Sequence, residues 1–187
     1  RRKALKSNNS GWRSYPVTLL LVRENNEIKH VELDFSVTYS STCPCSAALA
    51  RSLIQENFKK AFNSENLDFD NVLKWIGSEQ GINATPHAQR STAHVRTILN
   101  ADCTEIPLNK YISIVEDTLK TVVQSAVKRE DEQEFARLNG QNLLFCEDAA
   151  RRIKHALQQD KDLNGFWLRV HHHESLHPHD ATAEASS

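Results

Sequence analysis

Apolar residues occupy every second position from Val31 to Tyr39 (Val31, Leu33, Phe35, Val37, Tyr39), with polar residues between them. That is the period of a strand with one buried face. Just upstream, Tyr15–Glu24 is rich in β-formers and Asn25-Asn26 supplies turn residues, so the two runs predict a hairpin. The period then changes. Leu49, Leu53, Ile54, Phe58 and Phe62 recur at helical spacing and predict a helix over Ser46–Phe62, with Ser46 as its N-cap. After a polar break at Asn63–Asp70, Val72, Leu73, Trp75 and Ile76 predict a short helix closed by Gly77 or Gly81. Gln89–Leu99 returns to strand.

Further along, Tyr111, Ile114, Val115, Leu119, Val122, Val123 and Ala126 form one stripe and predict a helix over Asn109–Val127. The charged stretch KREDEQE reads as a solvated face, followed by a turn at Asn139-Gly140. Phe145–Leu157 predicts another amphipathic helix, with Asp148 in its first turn and Lys154 in its last. A turn at Asn164-Gly165 leads into a final strand, Phe166–His173. The order β-β-α-α-β-α-α-β is that of an α+β protein, an antiparallel sheet with helices packed on one face.

A chain of 187 residues holds one well-cored domain, or one module with an appendage. A net charge of −1 gives no overall electrostatic case for nucleic acid or an acidic membrane. The longest apolar run, around Val17–Val22, is far too short to span a bilayer. Four cysteines (Cys43, Cys45, Cys103, Cys146) do not form the framework of a secreted domain and favour a reduced, cytoplasmic setting. The abrupt RRKALK opening suggests an upstream portion of chain.

Four short stretches carry candidate chemistry. Cys43 and Cys45 lie in STCPCS, between a strand and a helix. The bland interpretation is a small-residue turn; the functional one is a thiol at a helix N-terminus, readily a metal ligand or nucleophile. The C-x-C spacing alone is weak, because closed zinc sites separate their cysteines by two or more residues. His87, in TPHAQRS, follows a proline that holds it on a rigid corner, with Gln89 and Arg90 beside it. Glu147, in LLFCEDAARR, is either a carboxylate favoured by the helix dipole or one that accepts two parallel N–H bonds from a flat heterocycle such as guanine. Finally, HHHESLHPHD packs five histidines and two acids into ten residues. If extended, it sends His177 and His179 to one side near Glu174, an arrangement suited to proton transfer near neutral pH. His171, His172 and His173 cannot all face inward.

In chain order, STCPCS, PHAQRS, KREDE, FCED and ESLHPHDA resemble the type IB GTP cyclohydrolase I family, over about Tyr15–Ala183. The resemblance implies a tunnelling fold and a homotetramer with active sites at subunit interfaces. The implied reaction converts GTP and water to 7,8-dihydroneopterin triphosphate and formate, with a divalent metal, Zn²⁺ or Mn²⁺. Cys43, His87 and Glu132 correspond to the metal ligands, with Cys45 the alternative thiol. Glu147, with Gln89 and Arg90, corresponds to the substrate-binding set, and Glu174, His177 and His179 to the catalytic acid–base cluster. Arg90, Lys128, Arg129, Arg151 and Arg152 are unranked candidates for the triphosphate.

Two departures accompany the resemblance. His87 follows CPCS by about forty residues rather than a turn or two of helix, so 46–85 contains a helical insertion. Familiar members also carry an additional N-terminal portion, which makes residues 1–14 a linker or the end of a preceding module, 15–183 the catalytic module and 184–187 a tail. Two rival readings remain. A deazaguanine nitrile reductase, with a thiol nucleophile and NADPH, is disfavoured by the HPHD ending. A zinc-stabilised binding module would need four protein ligands and no open position.

Overall fold

The computed structural model describes residues 1–187. Two short strands, β1 (Arg2–Lys3) and β2 (Ser10–Gly11), form a small hairpin. The main sheet begins with β3 (Val17–Glu24) and β4 (Glu27–Thr42). Asn25 and Asn26 join them with φ of 49° and 69°, the left-handed pair that a tight hairpin turn requires. Helices α1 (Pro44–Ala61) and α2 (Phe69–Ile76) then leave the sheet, and β5 (Ala88–Asn100) returns to it. Helices α3 (Leu108–Leu119), α4 (Arg129–Gln141) and α5 (Cys146–Gln158) precede β6 (Leu163–His172) and β7 (Ala181–Ser186). The five main strands lie in the order β3-β4-β5-β6-β7, every neighbour antiparallel.

One face of this sheet carries the core. Val31, Leu33, Phe35, Val37 and Tyr39 of β4 join Ala93, Val95 and Leu99 of β5 and Phe166, Leu168 and Val170 of β6. Tyr111, Ile112, Val115 and Leu119 of α3, and Ala149, Ala150, Ile153 and Leu157 of α5, close over them. Burying a side chain such as Phe35 completely contributes roughly 1.5–3 kcal/mol. The opposite face of the sheet is polar, so the layer is helix on sheet with one solvated side, as the alternation in β4 requires. This α+β architecture is the expected one.

Several local expectations fail, each for a tertiary reason. The Asn109–Val127 helix stops at Leu119, where Lys120 takes φ 64°. Val122 then bridges Tyr39 and the Val123 N–H donates to Thr38 O, so the sheet captures residues whose spacing suited a helix. KREDEQE opens α4 and is largely exposed, as a solvated face should be, with one exception. Its Asp131 is fully buried and accepts from the backbone N–H groups of Lys6, Ser7 and Lys128 and from the Ser7 hydroxyl. Asn139-Gly140 is helical. The Asn139 amide oxygen accepts from Ser40 Oγ at 2.7 Å, a contact that outweighs its turn preference. Asn164-Gly165 lies within β6. Ser46 does not cap α1; Cys43 holds the N-cap position, and the Ser46 hydroxyl instead accepts from the His87 N–H at 3.0 Å.

Residues at both chain ends are also ordered into the fold. The hairpin of the first fourteen residues is tied to α4 through Asp131, and Gly11 passes so close to Ser125 and Ala126 that a Cβ there would collide with them. Glu184–Ser186 pair with Trp167–Arg169 as part of β7. The short helix α2 matches its expectation: Asp68 caps its start and Gly77 closes it.

Candidate functional site

Strand register builds the site. Tyr39 lies opposite Ser91, and Ser41 opposite Gln89; one further step places Cys43 opposite His87, whose carbonyl accepts the Cys43 N–H at 3.2 Å. On the other side of β5, Ser91 lies opposite His172. Because side chains alternate, Tyr39, Ser41 and Cys43, then Ser91, Gln89 and His87, then His172 and Glu174 all project to the helix side. Moving along the strands, that face passes from apolar core through buried hydroxyls to groups that carry chemistry.

Each polar layer is paired internally. Tyr39 Oη meets His172 Nε2 at 2.8 Å, and Ser41 Oγ meets Ser91 Oγ at 2.7 Å. Beyond them, His87 Nδ1 contacts Gln89 Oε1 at 2.9 Å, and Gln89 Nε2 donates to Glu174 Oε1 at 3.2 Å. Ser175 Oγ lies 3.5 Å from the same His87 nitrogen. The linker from α4 to α5 reaches this end too, since the Leu144 N–H donates to Thr42 O. Cys146 then anchors the start of α5, its thiol donating to Val170 O at 3.3 Å and Ala181 O at 3.4 Å. This brings Glu147, exposed in the first turn of α5, near enough for its charge to act on both Cys146 and His172.

Burial sets the protonation of two of these groups. It drives the His172 imidazole down to about 4; the Glu147 charge opposes the shift and His173 adds to it. It also pushes the Cys146 thiol up to about 11, so that sulfur is an inert structural donor. All four cysteines are unpaired; Cys43 is half-buried and Cys45 exposed.

The structure therefore brings together Cys43, His87, Gln89 and Glu174, with Glu147 beside them. It does not bring in the others. Glu132 is exposed near the start of α4, seven residues before Asn139, the α4 residue that contacts this end of β4; that is about 10 Å along the helix axis. Arg90 projects from the opposite face of the sheet, its carbonyl accepting from the His173 N–H. His177 and His179 sit on an exposed bend whose ends are joined by His173 and Asp180, 2.9 Å apart. Their rings stack on each other with centroids 5.3 Å apart, and no hydrogen bond links either to Glu174 or His87. His172 and Tyr39 were not singled out from sequence. The signal was present, since the alternation of Phe166, Leu168 and Val170 continues onto His172.

A thiol and an imidazole in backbone contact fit a divalent ion of borderline softness. Within one chain, however, no group of three or more His, Cys, Asp or Glu residues is placed to hold a metal. Two donors fit; the third expected one does not arrive.

A sheet layered on one side by helices, with a thiol, an imidazole and a carboxylate gathered at one end of its strands, defines a tunnelling-fold module with a candidate catalytic edge. Residues 1–183 match the family model described as type I GTP cyclohydrolase folE2, and the chain belongs to that family. It is 56% identical over 185 residues to GTP cyclohydrolase FolE2 of Hydrogenovibrio crunogenus, covering 98% of this chain and 58% of that protein. The corresponding protein of Pseudoalteromonas translucida is 56% identical over 185 residues (99% and 61%), and that of Bdellovibrio bacteriovorus 55% over 186 (99% and 60%). The chain thus spans about three fifths of the length of the curated relatives it matches. No helix is long and apolar enough to cross a membrane.

Proposed function

We propose that this chain is the catalytic part of a GTP cyclohydrolase that converts GTP and water to 7,8-dihydroneopterin triphosphate and formate. The observation that carries the proposal is the meeting of Cys43, His87, Gln89 and Glu174 at one sheet end, in a chain of this family. Cys43 and His87 hold a Zn²⁺ or Mn²⁺ ion. Such an ion supplies the Lewis acidity that makes water nucleophilic near neutral pH. Glu132, exposed on α4, completes the donor set from a neighbouring subunit of a homotetramer. The uncovered edge of the sheet supports assembly: Val17, Leu19 and Leu21 of β3 face the helix side, yet each is more than two-fifths exposed.

Glu147 accepts the N–H edge of guanine and orients the base so that its C8 faces the Cys43–His87 corner, which is positioning catalysis. Glu174, His177 and His179 move protons at the ring nitrogen and during formate loss. The stacked pair reaches the substrate by movement of its bend or from an adjoining chain.

The test is incubation of the metal-loaded, full-length protein with GTP, following pterin fluorescence and formate. Turnover is expected, and it is expected to fall in His177→Ala and His179→Ala. Absence of both products from the loaded protein overturns the activity, and undiminished turnover in both variants removes the two histidines from the mechanism.

A further inference from the structure

We propose that Gln89 is a positioning residue that fixes the tautomer of His87, leaving the bare Nε2 of that ring as the metal donor. The inference rests on the metal role proposed above for His87.

It follows from which groups can donate. An ionised Glu174 carboxylate only accepts hydrogen bonds, so its 3.2 Å contact with Gln89 requires the amide NH₂ to face it. That orientation turns Gln89 Oε1 towards His87 Nδ1, 2.9 Å away. An amide oxygen carries no proton, so this contact is a hydrogen bond only when Nδ1 bears one. A neutral imidazole has a single N–H; protonation at Nδ1 leaves the Nε2 lone pair free. Ser175 Oγ, 3.5 Å from the same nitrogen, lies on that side of the ring as well. The backbone of His87 is pinned at the same time, its N–H given to Ser46 Oγ and its carbonyl receiving the Cys43 N–H.

Gln89 is only 8% exposed, and both ends of its amide are engaged within the protein. It acts through His87. Without Glu174 the amide is free to rotate, present its NH₂ to Nδ1 and reverse the tautomer, which would put the proton on the nitrogen needed by the metal.

The experiment uses metal-free, ¹⁵N-histidine-labelled protein in its assembled form. Long-range ¹H–¹⁵N correlation distinguishes protonated from bare ring nitrogens. The wild type is expected to carry the His87 proton on Nδ1. Gln89→Leu is expected to lose that preference and to weaken Zn²⁺ binding by about 10–100-fold in chelator competition. Gln89→Glu alone would set a second carboxylate against Glu174, so the rescue is read in Gln89→Glu combined with Glu174→Gln. The residue-89 carboxylate then accepts from both His87 Nδ1 and the residue-174 amide, and the Nδ1–H form should be retained, which a purely space-filling role would not produce. Glu174→Gln frees the amide and should give mixed tautomers, which keeps the test available if Gln89→Leu does not fold. An Nε2–H ring in the wild type overturns the inference, as does an unchanged Nδ1–H ring in both Gln89→Leu and Glu174→Gln. An Nε2–H ring with normal GTP turnover leaves the proposed function standing. An Nδ1–H preference lost in Gln89→Leu supports the inference even where turnover is absent.

Discussion

His172 should make this fold sensitive to mild acid. Its ring is 3% exposed and hydrogen-bonded to Tyr39, and burial holds its pKa down to about 4 against the ordinary 6.5. Between those values the unfolded chain binds a proton that the folded state refuses, so stability is complete above 6.5 and drains as pH falls through the window. With about 1.36 kcal/mol per unit, the full difference approaches about 3 kcal/mol, of which about 1.4 kcal/mol is lost by about pH 5.5. The perturbation is His172→Gln, whose amide oxygen can still accept from the Tyr39 hydroxyl but does not titrate. Urea unfolding of both proteins, at one protein concentration, is measured at about pH 7.5 and about pH 5.5. Every other titrating group is common to the two, so their difference isolates the imidazole. The wild type is expected to lose about 1.4 kcal/mol more than the variant. Parallel losses would refute the argument that the buried ring stays neutral.

Further outcomes follow from the same structure. Asp131→Asn replaces an acceptor of four hydrogen bonds by an amide; amide exchange at Lys6 and Ser7 should quicken while that of the β4–β5 ladder is unchanged. Those hydrogen bonds hold the Asp131 carboxyl well below the usual range, so its contribution is present at neutral pH and lost only as pH falls below that range. Iodoacetamide at neutral pH, read by mass spectrometry, should modify exposed Cys45 and spare Cys146, whose buried thiol is pushed up to about 11. Four residues inserted into the loop at Asn63–Asn66 lengthen the closure between β4 and β5 at a cost of about 0.1 kcal/mol, and Zn²⁺ affinity should be unchanged. One residue inserted between Ser40 and Ser41 moves Cys43 to the other face of the sheet and should abolish that affinity.

How much of this was legible depended on whether a signal was local. The β4 alternation named the core side of its strand correctly, and the Asn25-Asn26 turn was read from its residue types. Helix α3 was overextended because Val122 and Val123 continue its stripe, while the force that claims them is pairing with Tyr39 and Thr38, some eighty residues earlier. The same applies to KREDEQE. No local pattern marks Asp131 as the buried acid, because its donors lie at Lys6 and Ser7. Within the site, the motifs picked out Cys43, His87, Gln89 and Glu174, but motif order says nothing of distance, and it could not separate these from Glu132, His177 and His179.

The residues that meet are those placed by strand pairing. Cys43, His87, Gln89 and Glu174 each extend a β4–β5–β6 ladder whose register is locked by apolar residues buried beneath it. A slip there would expose Phe35, Val37 and Leu168 together, so the core holds the chemistry in place. Glu132 sits in the first turn of a helix, and His177 and His179 on a bend, where no ladder dictates their position. The intermediate layers matter equally. Polar groups at the end of an apolar core would be costly unless paired, and the Tyr39–His172 and Ser41–Ser91 contacts satisfy them strand to strand before the outer layer begins. The outer layer repeats that pattern through Gln89, whose two polar ends join the His87 ring just before β5 to the carboxylate beyond β6. A single cross-strand rule thus builds the core, the buried hydroxyl layer and the donor edge in succession.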